Sequence, residues 1–237
     1  MSLFINGDDF GMSKSCTLAI AEAIEEELID GTTMMANGEY FDEAAALAAS
    51  LGFAGKIGVH LNLTEGAPLT EEIKTVSAFV AGGRFHKEYL KKTCPLTERE
   101  QAAVFIELAA QIKRIRQAGI NVVRADSHHY IHTFVHIAPL VAEVCRKNGI
   151  KRIRINRTFD TPERPIMTDG RIDNSFWCAR GFETTAHFGR MSDVELGKIP
   201  DDTEIMVHPD YDKNGVLIDR TGTADGYPTG VQIKRIK

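Results

Sequence analysis

The chain has 237 residues, 43% of them hydrophobic, with 28 basic against 33 acidic side chains and a formal net charge of -5. That is enough apolar material for one large α/β domain or two small ones. The negative balance, with Lys and Arg scattered apart from Lys151-Arg152-Ile153-Arg154, offers no field to a nucleic-acid backbone, and no apolar run reaches the ~20 residues of a membrane span.

Asp8 and Asp9 interrupt any charged-then-apolar leader at once. The four cysteines, Cys16, Cys94, Cys145 and Cys178, form no close pair, so reduced thiols are expected rather than disulfides or a thiolate zinc site. These features lead us to expect a soluble cytoplasmic protein.

Leu3-Phe4-Ile5 reads as a first strand running into Asn6-Gly7-Asp8-Asp9-Phe10-Gly11. Two adjacent carboxylates at the end of a buried strand repel each other and lose hydration. A metal ion would relieve both costs, while a plain turn with a helix-capping Asp is the simpler alternative. Apolar spacing then predicts a helix over 13–30, a strand over 32–36 and a helix over 41–51. A third strand over 56–61 ends near His60.

Residues 62–96, broken by Pro68, Gly82-Gly83 and Pro95, read as a loop excursion that shapes a pocket, with one short helix. Thr97 and Glu100 form a capping box for a helix reaching about Ala118. A strand over 120–125 leads into Asp126-Ser127-His128-His129-Tyr130-Ile131-His132, and a helix over 134–147 follows. A fifth strand over 150–155 precedes an irregular stretch from Arg157 to Gly181 that holds the only tryptophan, Trp177. Weak helical signals fall at 184–188 and 193–197, and Glu204-Ile205-Met206-Val207 is a last strand ending in His208-Pro209.

This alternation predicts a parallel sheet or barrel. In such folds the C-terminal strand ends share one face, where sites are built. Asp8-Asp9, His60, Asp126 through His132, and His208 each follow a strand. Singly, each is more simply a turn, a packed histidine or a polar loop. Together, at four strand ends, they point to a metal site in which an Asp and two His leave a position open for water. No nucleophile elbow, Walker loop or dinucleotide fingerprint is present.

Asp8-Asp9-Phe10-Gly11, the run Gly58-Val59-His60-Leu61-Asn62-Leu63-Thr64-Glu65-Gly66-Ala67-Pro68-Leu69, Asp126 to His132, and His208-Pro209 resemble the YdjC-like carbohydrate deacetylases, in the right order from about residue 3 to 210. The resemblance implies a distorted (β/α) barrel with parallel strands, one divalent metal (Mg²⁺ or Zn²⁺), and removal of acetyl groups from N-acetylated sugars or short chito-oligosaccharides. It implies Asp9, His60 and His128 as metal ligands, Asp8 as base and His208 as general acid. Arg154 matches an arginine near the site, and His129 and His132 are candidates to orient ligands or bind sugar hydroxyls. It also implies a small carbohydrate partner, a homodimer, and a single domain over residues 1–237.

Tyr130 stands where the family often has a histidine. Residues 212–237, with a Gly- and Thr-rich run from Gly215 to Gly230, lack the closing amphipathic helix the resemblance leads one to expect. Three rival readings are a metal-dependent phosphoesterase, a non-haem iron oxygenase, and a sugar-binding protein with a residual metal site.

Overall fold

The structure, a computed structural model, describes residues 2–91, 95–162, 165–166, 168–194, 198–225 and 227–234. Strand β1 (Leu3–Phe10) runs to helix α1 (Lys14–Glu25), whose N-cap Ser13 accepts a hydrogen bond from Cys16 N. Then come β2 (Gly31–Met34), α2 (Phe41–Ser50) and β3 (Ile57–Leu61). The 62–96 excursion carries the short helix α3 (Glu71–Lys74) and a hairpin of β4 (Val80–Ala81) with β5 (Arg84–Phe85).

Helix α4 (Glu98–Gln117) opens with the expected Thr97/Glu100 capping box. β6 (Arg124–Ser127), α5 (Ala138–Lys147), β7 (Arg152–Ile153), α6 (Ser175–Cys178), β8 (His187–Arg190) and β9 (Thr203–Val207) follow. The chain closes with β10 (Pro209–Tyr211), β11 (Leu217–Ala224) and β12 (Tyr227–Gln232).

Seven strands form one parallel sheet in the order β7-β6-β3-β2-β1-β9-β8. Its strands are buried on both faces, as parallel sheets covered by helices require. The sheet curls until one segment serves both edges. Glu183 exchanges backbone hydrogen bonds with Lys151 and Ile153 beside β7, and the chain then enters β8 at the opposite edge. This is the distorted barrel expected of the sequence.

One expectation is corrected, and a second falls largely outside the described residues. Residues 184–188 are not helical: His187–Arg190 pairs with Thr203–Met206, because the open side of β9 offers a full ladder that outweighs a weak local signal. The 193–197 signal gives a 3₁₀ turn at Met191–Asp193, and residues 195–197 lie outside those described. In place of a closing helix, β10, β11 and β12 form an antiparallel sheet. Cys16, Cys145 and Cys178 are free thiols, and Cys94 lies outside the described residues.

Candidate metal centre

The site begins with an irregularity in β1. Its pairing with β2 slips between Gly7 and Phe10, and Asp9 takes a left-handed backbone, φ 74°. In a regular strand, consecutive side chains point to opposite faces. A bulge re-aims one of them, so Asp8 and Asp9 both reach the same cavity. That backbone is costly for a residue with a Cβ, and such costs concentrate at functional sites.

His60 and Asp126 are register partners on β3 and β6. Asp126 Oδ1 lies 2.7 Å from His60 Nδ1, while Thr33 donates to Asp126 Oδ2 at 2.9 Å. With Nδ1 engaged, His60 turns Nε2 toward Asp9 Oδ1, at 3.2 Å. His128 brings Nδ1 to the same oxygen, at 2.8 Å. After it the backbone turns left-handed twice, at His129 (φ 53°) and Tyr130 (φ 56°), which sets both side chains on the cavity wall.

Asp9, His60 and His128 are buried, and their ligand atoms lie within 4.8 Å of one another. Burial works against a charged Asp9, yet the two imidazoles hold its carboxyl well below the usual range. Burial also opposes protonation of His60, but Asp126 and Asp9 carry it up to about 10. Only the Asp9 carboxylate is negative here; a divalent cation beside it would displace the imidazole protons, and one carboxylate with two neutral imidazoles makes a three-ligand set. His128 Nε2, the ring nitrogen that does not face Asp9, stands 3.5 Å from Glu65 Oε2.

Behind Asp8 lies Arg154. Its guanidinium meets Asp8 Oδ2 at 2.7 Å and Oδ1 at 2.8 Å, Asp126 Oδ2 at 2.7 Å and Glu204 Oε1 at 2.7 Å. Asn6 Nδ2 also donates to Asp8, at 2.7 Å. Arg154 therefore pairs with three buried carboxylates from beneath the site and is not among the residues that line the cavity. His132 is likewise behind the wall. It is fully buried, with Nδ1 2.5 Å from Ser127 Oγ, Nε2 3.0 Å from the Arg154 carbonyl, and its ring beside Trp177. Trp177 is a core residue.

His129 does line the cavity, with Thr64 Oγ1 at 2.9 Å from Nδ1 and Lys87 Nζ at 3.0 Å from Nε2. His208 lines it too. Its backbone N–H donates to Asp219 Oδ1 at 2.8 Å, and the same oxygen is 3.9 Å from its Nδ1. The cavity, of about 420 Å³, is the size of a small-molecule site.

Sequence reasoning missed Arg220 and Glu65. Arg220, on β11, reaches Asp9 Oδ2 at 3.2 Å and Asp210 Oδ2 at 3.3 Å. No local signal marks it. Glu65 lies inside the 58–69 motif, where no local pattern distinguishes its carboxylate; the facing His128 outweighs burial, and its pKa drops to about 2.

The profile of the YdjC-like protein family matches residues 2–234. The chain belongs to the YdjC-like family. Relatives include a chitooligosaccharide deacetylase of Escherichia fergusonii, 31% identical over 90% of this chain and 83% of its own. A carbohydrate deacetylase of Brevibacillus brevis is 31% identical over 92% and 84%. A chitooligosaccharide deacetylase of Salmonella paratyphi B is 33% identical over 90% and 82%. Among solved structures, a candidate cellobiose-phosphate cleavage protein of Enterococcus faecalis V583 superposes with a TM-score of 0.69 at 22% identity, over 90% of this chain and 82% of its own. That likeness shows that the YdjC-like chain shares its fold. Among the described residues, no helix of this YdjC-like chain is long and apolar enough to cross a membrane.

Proposed function

We propose that this chain is a metal-dependent carbohydrate deacetylase that hydrolyses the acetamide of N-acetylated sugars or short chito-oligosaccharides and releases acetate. One observation carries the reading: His60 Nε2 and His128 Nδ1 converge on Asp9 Oδ1 in a cavity that also holds Asp8 and His208. The relatives named as deacetylases support the reaction class.

Asp9, His60 and His128 would hold the cation, Zn²⁺ or Mg²⁺, which when bound supplies charge that acidifies water and polarises the acetyl carbonyl. Asp8, adjacent to Asp9 and fixed by Arg154 and Asn6, takes a proton from the attacking water. The water oxygen bonds to the acetyl carbon and the C–N bond breaks. His208 delivers the proton that the leaving sugar amine requires. His129 and Tyr130 face the sugar, whereas Arg154 and His132 act from behind, by positioning. The buried free thiols Cys16 and Cys145 favour a reducing, cytoplasmic compartment.

The test pairs elemental analysis of the purified protein with an acetate-release screen over N-acetylated sugars, before and after chelation. Acetate release lost on chelation and restored by a divalent ion is the expected result. Phosphate release from sugar phosphates without acetate, or sugar binding with no acetate under any divalent ion, would overturn the reading.

A further inference from the structure

We infer that Arg220 is a positioning residue that ties up one oxygen of Asp9, so that the carboxylate offers the cation only the other. The inference rests on the cation site proposed above. Asp9 divides its two oxygens cleanly. Oδ1 faces both imidazoles, at 3.2 and 2.8 Å, while Oδ2 accepts from Arg220 Nη2, at 3.2 Å. A carboxylate with both oxygens free can grip a cation with two points or pivot between one and two. A guanidinium on Oδ2 removes that freedom.

Arg220 is itself held. Its Nη1 reaches Asp210 Oδ2, and Asp210 Oδ1 accepts from Ser15 Oγ at 2.5 Å, at the start of α1. The Arg220 backbone N–H donates to the His208 carbonyl at 2.9 Å, and the preceding residue, Asp219, is the one that accepts from the His208 N–H. Two adjacent residues of β11, Asp219 and Arg220, therefore fix both the strand end that carries His208 and the proposed ligand Asp9. The side chain remains partly exposed and lines the cavity with Thr221, Gly222 and Thr223.

The electrostatic consequence has a definite sign. A positive group on the ligand carboxylate repels the cation and withdraws charge from Asp9. Arg220 thus weakens cation binding while leaving the bound ion more electron-poor, which favours polarisation of a carbonyl. A residue that merely held the fold together would, when lost, loosen the site and weaken binding. The two roles predict opposite changes.

The experiment titrates Zn²⁺ into chelator-stripped wild type, Arg220→Met, Arg220→Gln and Arg220→Lys by calorimetry, and follows acetate release from N,N′-diacetylchitobiose at saturating Zn²⁺. Arg220→Met and Arg220→Gln are expected to bind Zn²⁺ more tightly, on the order of tenfold, with lower kcat. Arg220→Lys keeps the charge and stays near wild-type affinity. Arg220→Gln retains a donor for Asp9, so it serves if the Met variant does not fold. Affinity equal to or weaker than wild type in the neutral variants overturns the inference. Tighter Zn²⁺ binding with no acetate from the wild type would leave the inference standing and sink the deacetylase reading. Acetate release with unchanged affinity in the variants would do the reverse.

Discussion

Arg154 meets Asp8 as a two-pronged fork, Nη1 2.7 Å from Oδ2 and Nη2 2.8 Å from Oδ1, with both side chains buried. The same guanidinium also satisfies Asp126 and Glu204. A single cation therefore supports both a carboxylate on the cavity surface and the carboxylate that orients His60.

Removing that cation strands three buried carboxylates. Arg154→Met should destabilise the fold by about 3–5 kcal/mol, since breaking a buried pair leaves uncompensated charge. Urea unfolding followed by circular dichroism measures it, and a loss under ~1 kcal/mol would mean that the carboxylates find other partners.

Asp8→Asn keeps shape and hydrogen-bonding capacity but not basicity. It should retain bound metal and lose acetate release by about 10²–10⁴-fold. Metal content and turnover, measured on one preparation, separate the two effects. A fully active variant removes Asp8 from the role of base.

Asp126→Asn acts one step further out. Asp126 fixes His60 Nδ1 at 2.7 Å, and partners of this kind typically contribute 10–100-fold in metal affinity. A metal titration should show a loss of about that size. If affinity is unchanged, Thr33, 3.1 Å from the same nitrogen, suffices to hold the ring.

His132 makes the fold sensitive to acid. Burial, against the opposing charge of Asp126, pushes its pKa down from 6.5 to about 3. Between those values the unfolded chain binds a proton that the folded chain refuses, so stability falls as pH drops from about 6.5 toward 3 and is unaffected by this group above 6.5. His132→Asn should be less stable at pH 7 yet show a shallower loss over that window. Equal slopes in urea titrations at several pH values would assign the acid sensitivity elsewhere.

Asp9, His60 and His128 were legible because each follows an apolar run that ends abruptly in polar residues, and a parallel sheet gathers such ends on one face. The main helices were legible for a similar reason: the periodic stripe of α4 and its Thr97 cap are local signals. Arg154 and His132 were seen as near the site but not as lying behind it, because sequence position does not tell which side of a wall a side chain occupies. Arg220 was invisible. The Gly- and Thr-rich β11–β12 hairpin carries little hydrophobic pattern, and the contact to Asp9 spans 211 positions. The β8 strand was mistaken for helix for the same physical reason: its conformation is dictated by a distant partner, β9.

β1, the earliest of the described strands in chain order, lies inside the sheet, flanked by β2 and by the late strand β9. As the chain leaves the ribosome, Leu3–Gly7 gains its partner Thr203–Val207 only after the strands between them have been made. Asp9 waits longer still, until β11 supplies Arg220. The emerging chain thus carries an unpaired strand edge beside a buried-to-be carboxylate until β9 and β11 have followed. Until β9 covers it, that edge is open to pairing with the wrong strand, so correct assembly of the site depends on a contact made late in the chain.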